Sequence, residues 1–209
     1  MKIAALILSF TLAFLASNCL ADEATLTDKD FDLITLSSDK PAEFGRVFLS
    51  GIPWVNYTRG LLRLPTEKIT AITKGKPIKK ARLVLNLGVI DNAPGHPLHI
   101  FEINKPWNDG LTWMTTDGIE PWMAGKYEDN IDKATQDINL PMAEITLPSE
   151  PGEKTEEIDI TSLLQEWAGG SVDNHGLLFK MGPTIHGKPD QGRWEVDIFE
   201  AKIILEFSR

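Results

Sequence analysis

The nine residues Ala81-Arg-Leu-Val-Leu-Asn-Leu-Gly-Val89 decide the fold class. Ala81, Leu83, Leu85, Leu87 and Val89 fall on one side of an extended chain, and Arg82, Asn86 and Gly88 on the other. That is a period of two over nine residues, the pattern of a strand with one face in a core. The C-terminal stretch repeats it: Ala201, Ile203, Leu205 and Phe207 alternate with Lys202, Ile204 and Glu206. Less regular apolar runs at 31–36, 44–49, 60–64, 98–103, 144–147, 156–160, 176–181 and 194–199 read as further strands. Turn-forming clusters such as Asp91-Asn-Ala-Pro-Gly95, Asn108-Asp-Gly110 and the Gly- and Pro-rich stretches at 148–152 and 187–192 separate them. Many short strands with polar turns predict an all-β, jelly-roll-like antiparallel β-sandwich.

One segment departs from that pattern. Ser162-Leu-Leu-Gln165 has the spacing of a capping box, and Ile160, Leu164 and Trp167 lie on one side at helical spacing. Gly169-Gly170 supplies a stop. A short helix is predicted near 162–168. Residues 114–141 contain no clear strand and read as an extended surface loop.

The chain has 209 residues, 42% of them hydrophobic and 24% charged, with a net charge of −9. This is the composition of a globular protein large enough for a self-sufficient core. The acidic balance disfavours nucleic acid as a partner. Lys2 followed by an apolar run at 3–15 and Cys19-Leu20-Ala21 has the form of a signal peptide cleaved after Ala21. The run is short for a bilayer span. The expected organisation is a signal peptide at 1–21 and a single domain at 22–209. The expected location is secreted, extracellular or periplasmic, with no membrane span once the signal is removed. Lipidation at Cys19 is the rival reading, but Asn18 fits poorly just before a lipid-bearing Cys. Cys19 is the only cysteine, so cleavage after Ala21 would leave no disulfide, thiol nucleophile or cysteine-zinc site.

Five motifs occur in order: Arg59-Gly-Leu-Leu-Arg-Leu64, Ile78-Lys-Lys-Ala-Arg-Leu-Val-Leu85, Trp107-Asn-Asp-Gly-Leu-Thr-Trp113, Ile158-Asp-Ile-Thr-Ser-Leu-Leu-Gln-Glu-Trp-Ala-Gly-Gly170 and Asn174-His-Gly-Leu-Leu-Phe179. This series resembles the DNRLRE family of secreted bacterial modules, grouped with carbohydrate-binding module family 96, over residues 45–207. The sequence departs from the family pattern at Leu64, where Phe is usual, and at Asn108-Asp109-Gly110. The resemblance implies a jelly-roll sandwich without catalytic machinery that binds polysaccharide, a uronic-acid polymer in the type examples.

Trp107, Trp113, Trp167 and Gly176 lie inside the motifs and read as structural. Trp54, Trp122 and Trp194, with Tyr57, lie outside them beside proline or polar residues. Sugar rings present apolar C–H faces that stack on aromatic planes, so these four are the candidate sugar platform, in competition with packing under loops. Arg59, Arg63, Arg82, Lys180 and Arg193, on or next to strands, are the candidate partners for a uronate carboxylate. Ordinary solvated charge is the competing reading.

Other chemistry finds little support. Asp28-Lys-Asp-Phe-Asp32 opens like a calcium loop, but Leu33 and Asp39 stand where that loop needs Gly and Glu. His96-Pro-Leu-His99 lacks a third ligand in sequence reach. No nucleophile elbow, zinc-protease motif or phosphate loop is present. The expectation is therefore no catalytic residue, no metal and no cofactor. Polysaccharide is the expected partner. A structural or adhesive envelope or matrix module is the alternative, and a polysaccharide lyase or hydrolase a more distant one.

Overall fold

The computed structural model describes residues 22–52, 56–92, 95–122, 131–135, 140–182 and 193–208. The signal-peptide reading therefore lies outside the described residues. Among them, no helix is long and apolar enough to cross a membrane.

The described residues form eleven strands: β1 (Glu23–Leu26), β2 (Asp32–Ser37), β3 (Glu43–Phe44), β4 (Val47–Ile52), β5 (Asn56–Arg63), β6 (Ile78–Asp91), β7 (Leu98–Glu102), β8 (Ala143–Ile145), β9 (Gly152–Asp159), β10 (Leu177–Met181) and β11 (Trp194–Phe207). All the strand pairings are antiparallel. The first sheet is built on the long β6–β11 pair. Here β9 flanks β6, while β4 and β1 flank successive halves of β11. The second sheet runs β3-β2-β5-β10-β7-β8. At its start β5 also pairs with β4, which joins the two sheets at one corner. The fold is the all-β antiparallel sandwich that the period-two pattern predicts.

The main core lies between the sheets. Leu83, Leu85, Leu87 and Val89 from β6 and Val196, Ile198, Ile203 and Leu205 from β11 face Leu33, Leu62, Ile100, Leu177 and Phe179. Among the described residues, two helices pack beside this core. α2 (Thr161–Gly169) is the predicted one, ended by Gly170 in the left-handed conformation at φ 68°. Its start differs from the expectation. Ile160, not Ser162, is the N-cap residue, and its side chain forms no cap hydrogen bond. Gln165 donates to the Ile78 carbonyl at 2.7 Å, so it ties the helix to β6 and does not close a capping box. The other helix, α1 (Thr66–Thr73), is not predicted by the sequence reading.

The second sheet is covered on its outer face as well. Ile34, Leu36, Leu61, Phe101, Ile103 and Leu178 form a second apolar cluster with Leu111, Trp122, Ile131 and Ala134. The expectation of a surface loop at 114–141 is thus corrected for its described residues. Thr115 bridges Pro121, Trp122 is buried, and a 3-10 turn, Ile131–Ala134, lies on the sheet. The segment is a third layer.

Candidate functional site

Strand parity explains how the basic residues are used. Leu62 enters the main core while Leu61 enters the outer cluster, so Arg59 and Arg63, which alternate with Leu62, share the outer side of β5. Likewise Lys180 shares the outer side of β10 with Leu178. These cations meet carboxylates of the third layer and of the neighbouring strand β2. Arg59 binds Asp132 in bidentate fashion, at 2.6 Å from Nε and 2.9 Å from Nη2. The Lys180 Nζ reaches the same carboxylate at 3.0 Å. Arg63 reaches Asp32 at 2.6 Å and Asp109 at 2.7 Å. Burial tends to raise the Asp132 pKa, but the charges of Arg59 and Lys180 and their hydrogen bonds outweigh it and hold the group down to about 2.

Two guanidiniums also lie over indoles. Arg59 sits 5.1 Å from the centre of the Trp113 ring, and Arg63 5.0 Å from that of Trp107. Trp107 and Trp113 are half-buried at the rim of the outer cluster. The Trp107 Nε1 donates to the His175 carbonyl at 2.8 Å. Asn174 donates to the Leu64 carbonyl, and Gly176 has φ 90°, where a Cβ would come 2.3 Å from the Leu62 oxygen. The first, third and fifth motifs thus hold one another at one side of the second sheet.

The loop aromatics are placed otherwise than expected. Trp122 is 1% exposed and donates to the Thr112 carbonyl at 3.0 Å, and Trp194 is 3% exposed. Trp194 packs on Gly51, where a Cβ would lie 1.9 Å from the indole, and its ring is 5.0 Å from His96. Neither indole can be a solvent-facing platform, because each already covers backbone and aliphatic surface. Tyr57 is half-buried against the main core, 5.9 Å from the Trp194 ring. Trp54 lies outside the described residues. Trp167 is buried, with its Nε1 3.2 Å from Glu102.

The other two basic residues are on the first sheet. Arg82 is 2.8 Å from Glu157 and 3.7 Å from Glu206, and the hydrogen bond it donates to Glu157 raises its pKa. The Arg193 Nε is 3.0 Å from Glu195. All five candidate cations are therefore engaged with the protein's own carboxylates.

A cleft of about 620 Å³ opens between the 38–42 turn with Phe44 on one side and the 109–114 segment on the other. Phe44 is 50% exposed. Trp113 and Thr112 also line the cleft, with Pro41, Ala42 and Leu111 as further apolar walls and Lys40 as a cation. Ser37, Ser38, Asp39 and Asp109 add hydroxyl and carboxylate groups. The Ser37 hydroxyl donates to Asp39 at 2.5 Å, and the Ser38 hydroxyl accepts from the Tyr57 N–H at 3.2 Å. Accessible aromatic rings with nearby polar groups suit a ligand that has apolar faces and a hydroxyl rim. Sequence reasoning missed Phe44, which it placed at the start of a strand, and assigned Trp113 to structure alone. The polar neighbours of Trp113 in Asn108-Asp-Gly-Leu-Thr-Trp113 are the signal that points to it.

Neither the scan of family models nor the search of curated proteins gives a match. Among solved structures, the chain is similar to the K1 cleaved adhesin domain of Lys-gingipain from Porphyromonas gingivalis W83. The identity is 10% over 90% of this chain and 91% of that one, with a TM-score of 0.35.

Proposed function

We propose that this protein is an exported, non-catalytic module that binds a neutral polysaccharide in the cleft between Phe44 and Trp113. The observation that carries the reading is the cleft itself: the half-exposed Phe44 and the half-buried Trp113 line it beside hydroxyl and carboxylate groups. The ordered motifs and their resemblance to the DNRLRE and family 96 carbohydrate-binding modules support it. So does the alternating, sandwich-forming pattern that such modules use. The signal-like residues 1–21 support export. The charges favour a neutral ligand over a uronate: Arg59, Arg63, Arg82, Lys180 and Arg193 already pair internally, and Lys40, the cation on the cleft wall, shares that wall with the Asp39 and Asp109 carboxylates.

The test is a glycan array followed by titration calorimetry with neutral and uronic-acid polysaccharides. Saturable binding of a neutral glycan is expected. Phe44→Ala should weaken it about ten-fold while leaving the unfolding midpoint unchanged, because a half-exposed ring contributes little to the core. A blank array would overturn the reading in favour of a structural or adhesive module. Binding indifferent to Phe44→Ala and Trp113→Ala would move the site elsewhere.

A further inference from the structure

The chain leaves the second sheet at Phe44 and joins the first at Val47. Phe44 lines the cleft, while the next two residues, Gly45 and Arg46, line a second hollow of about 480 Å³. The two depressions are therefore joined by consecutive residues at the edge of the sandwich. At its crest, Gly45 has φ 93°, and nothing lies within 4 Å of where its Cβ would be. The crest carries no side chain and faces open space.

The far side of the hollow has an aromatic of its own. The β6–β11 register shifts between Ile198 and Glu200, which takes Phe199 out of the ladder. Phe199 is 53% exposed. Its ring lies across Gly88 of the neighbouring strand, where a Cβ would approach Cδ1 to 3.7 Å. Polar groups surround it: Arg46 and Asp197 pair at 3.4 Å, and the Asn86 amide donates to Glu200. With Arg46 paired to Asp197, the remaining charges on the lining, Lys29 against Asp28 and Glu200, leave no excess of cations, which again suits a neutral, hydroxyl-rich ligand over a uronate.

Resting on the polysaccharide-binding reading above, we propose that the binding surface does not end at the cleft. It continues over the Gly45 crest to the Phe199 hollow. A neutral chain long enough to occupy both lies across the edge of the sandwich, so the module recognises the interior of a polysaccharide and not its ends. Phe44 and Trp113 stack one part of the chain and Phe199 another. Linking two contact regions through one ligand raises affinity with no change in either region.

Chain length tests this. The full chain is titrated with β-1,4-linked gluco-, manno- and xylo-oligosaccharides, comparing oligomers of about two or three sugars with those of about six or more. The long oligomers should bind at least about ten-fold tighter than the short ones. Phe199→Leu, which keeps apolar bulk but removes the flat ring, should abolish that gain and leave short-oligomer affinity unchanged. Phe199→Tyr should retain the gain. Affinity independent of length, or a length gain that survives Phe199→Leu, overturns the extension while the cleft reading stands. Loss of all binding in Phe199→Leu, with none in Phe44→Ala, overturns both the cleft and the continuous path. The absence of binding by any oligomer overturns both proposals.

Discussion

Asp132 shows how one charge organises a layer. Its carboxylate gathers Arg59 and Lys180 from adjacent strands of the second sheet and pins the Ile131–Ala134 turn above them. Arg59 in turn backs the Trp113 ring. The folded-state pKa of about 2 lies below the usual carboxylate value. This group therefore contributes stability that is fully present above the unfolded pKa of about 4 and is lost as pH falls through about 2. Denaturant unfolding measured across that range should show the loss, and Asp132→Asn should lack this part of the acid dependence. At neutral pH the same variant should cost about 3–5 kcal/mol, because it leaves two cations facing a neutral amide. An Asp132→Asn protein with wild-type acid dependence would show that other carboxylates control it. At this scale the sequence exposed the types of residue but not their partners. Arg59, Arg63 and Lys180 read equally well as free cations, because nothing in spacing places Asp132 or Asp109 over them. Trp122 and Trp194 read as candidate platform residues from their proline and polar neighbours. The large area of an indole drew both inward, and for Trp194 the glycine at position 51 made the room.

The elements were more legible than the residues. Strict alternation located β6 and the C-terminal half of β11, since half-buried strands must place one side in the core. α2 was legible from the Ile160, Leu164 and Trp167 stripe and its Gly170 stop. Trp167→Ala should cost about 3–5 kcal/mol, as for large core aromatics, and thermal or urea unfolding would measure it. The N-terminal variants of α2 separate the predicted cap from the observed one. Ser162→Ala should change stability by less than about 0.5 kcal/mol, because Ser162 is past the cap. Thr161→Ala should cost on the order of 1 kcal/mol, because the Thr161 hydroxyl accepts the Ala81 N–H at 2.9 Å. The reverse order would restore Ser162 as the cap. α1 escaped notice because Thr66-Glu-Lys-Ile-Thr-Ala-Ile-Thr73 is dense in β-branched residues and buries only Ile69 and Thr73. Tertiary contacts support it: Asn174 holds its N-terminal approach through Leu64 and Thr66.

For the molecule as a whole, the sandwich was readable and its third layer was not. The signal for that layer lay in the apolar pairs Leu61-Leu62 and Leu177-Leu178. Consecutive large apolar residues mark a strand buried on both faces, so something must cover the outer one. The described residues at 103–122 and 131–135 do so, and the internal ion pairs that fasten them also bear on the proposed ligand. With the candidate cations engaged by its own carboxylates and a net charge of −9, the molecule offers little long-range attraction to a polyanion. Stacking and hydrogen bonding are short-range and largely indifferent to ions, whereas exposed charges are screened over about 8–10 Å at moderate ionic strength. Affinity for a neutral β-glucan should therefore change by less than about two-fold when salt rises from about 50 to about 500 mM. Alginate, a uronate polymer, should bind more weakly at every salt concentration. Repulsion by the net negative charge would make that weak binding improve as salt rises. Tight alginate binding that falls with added salt would mean that the ion pairs open to admit a carboxylate, and the neutral-ligand reading would then give way to the uronate one.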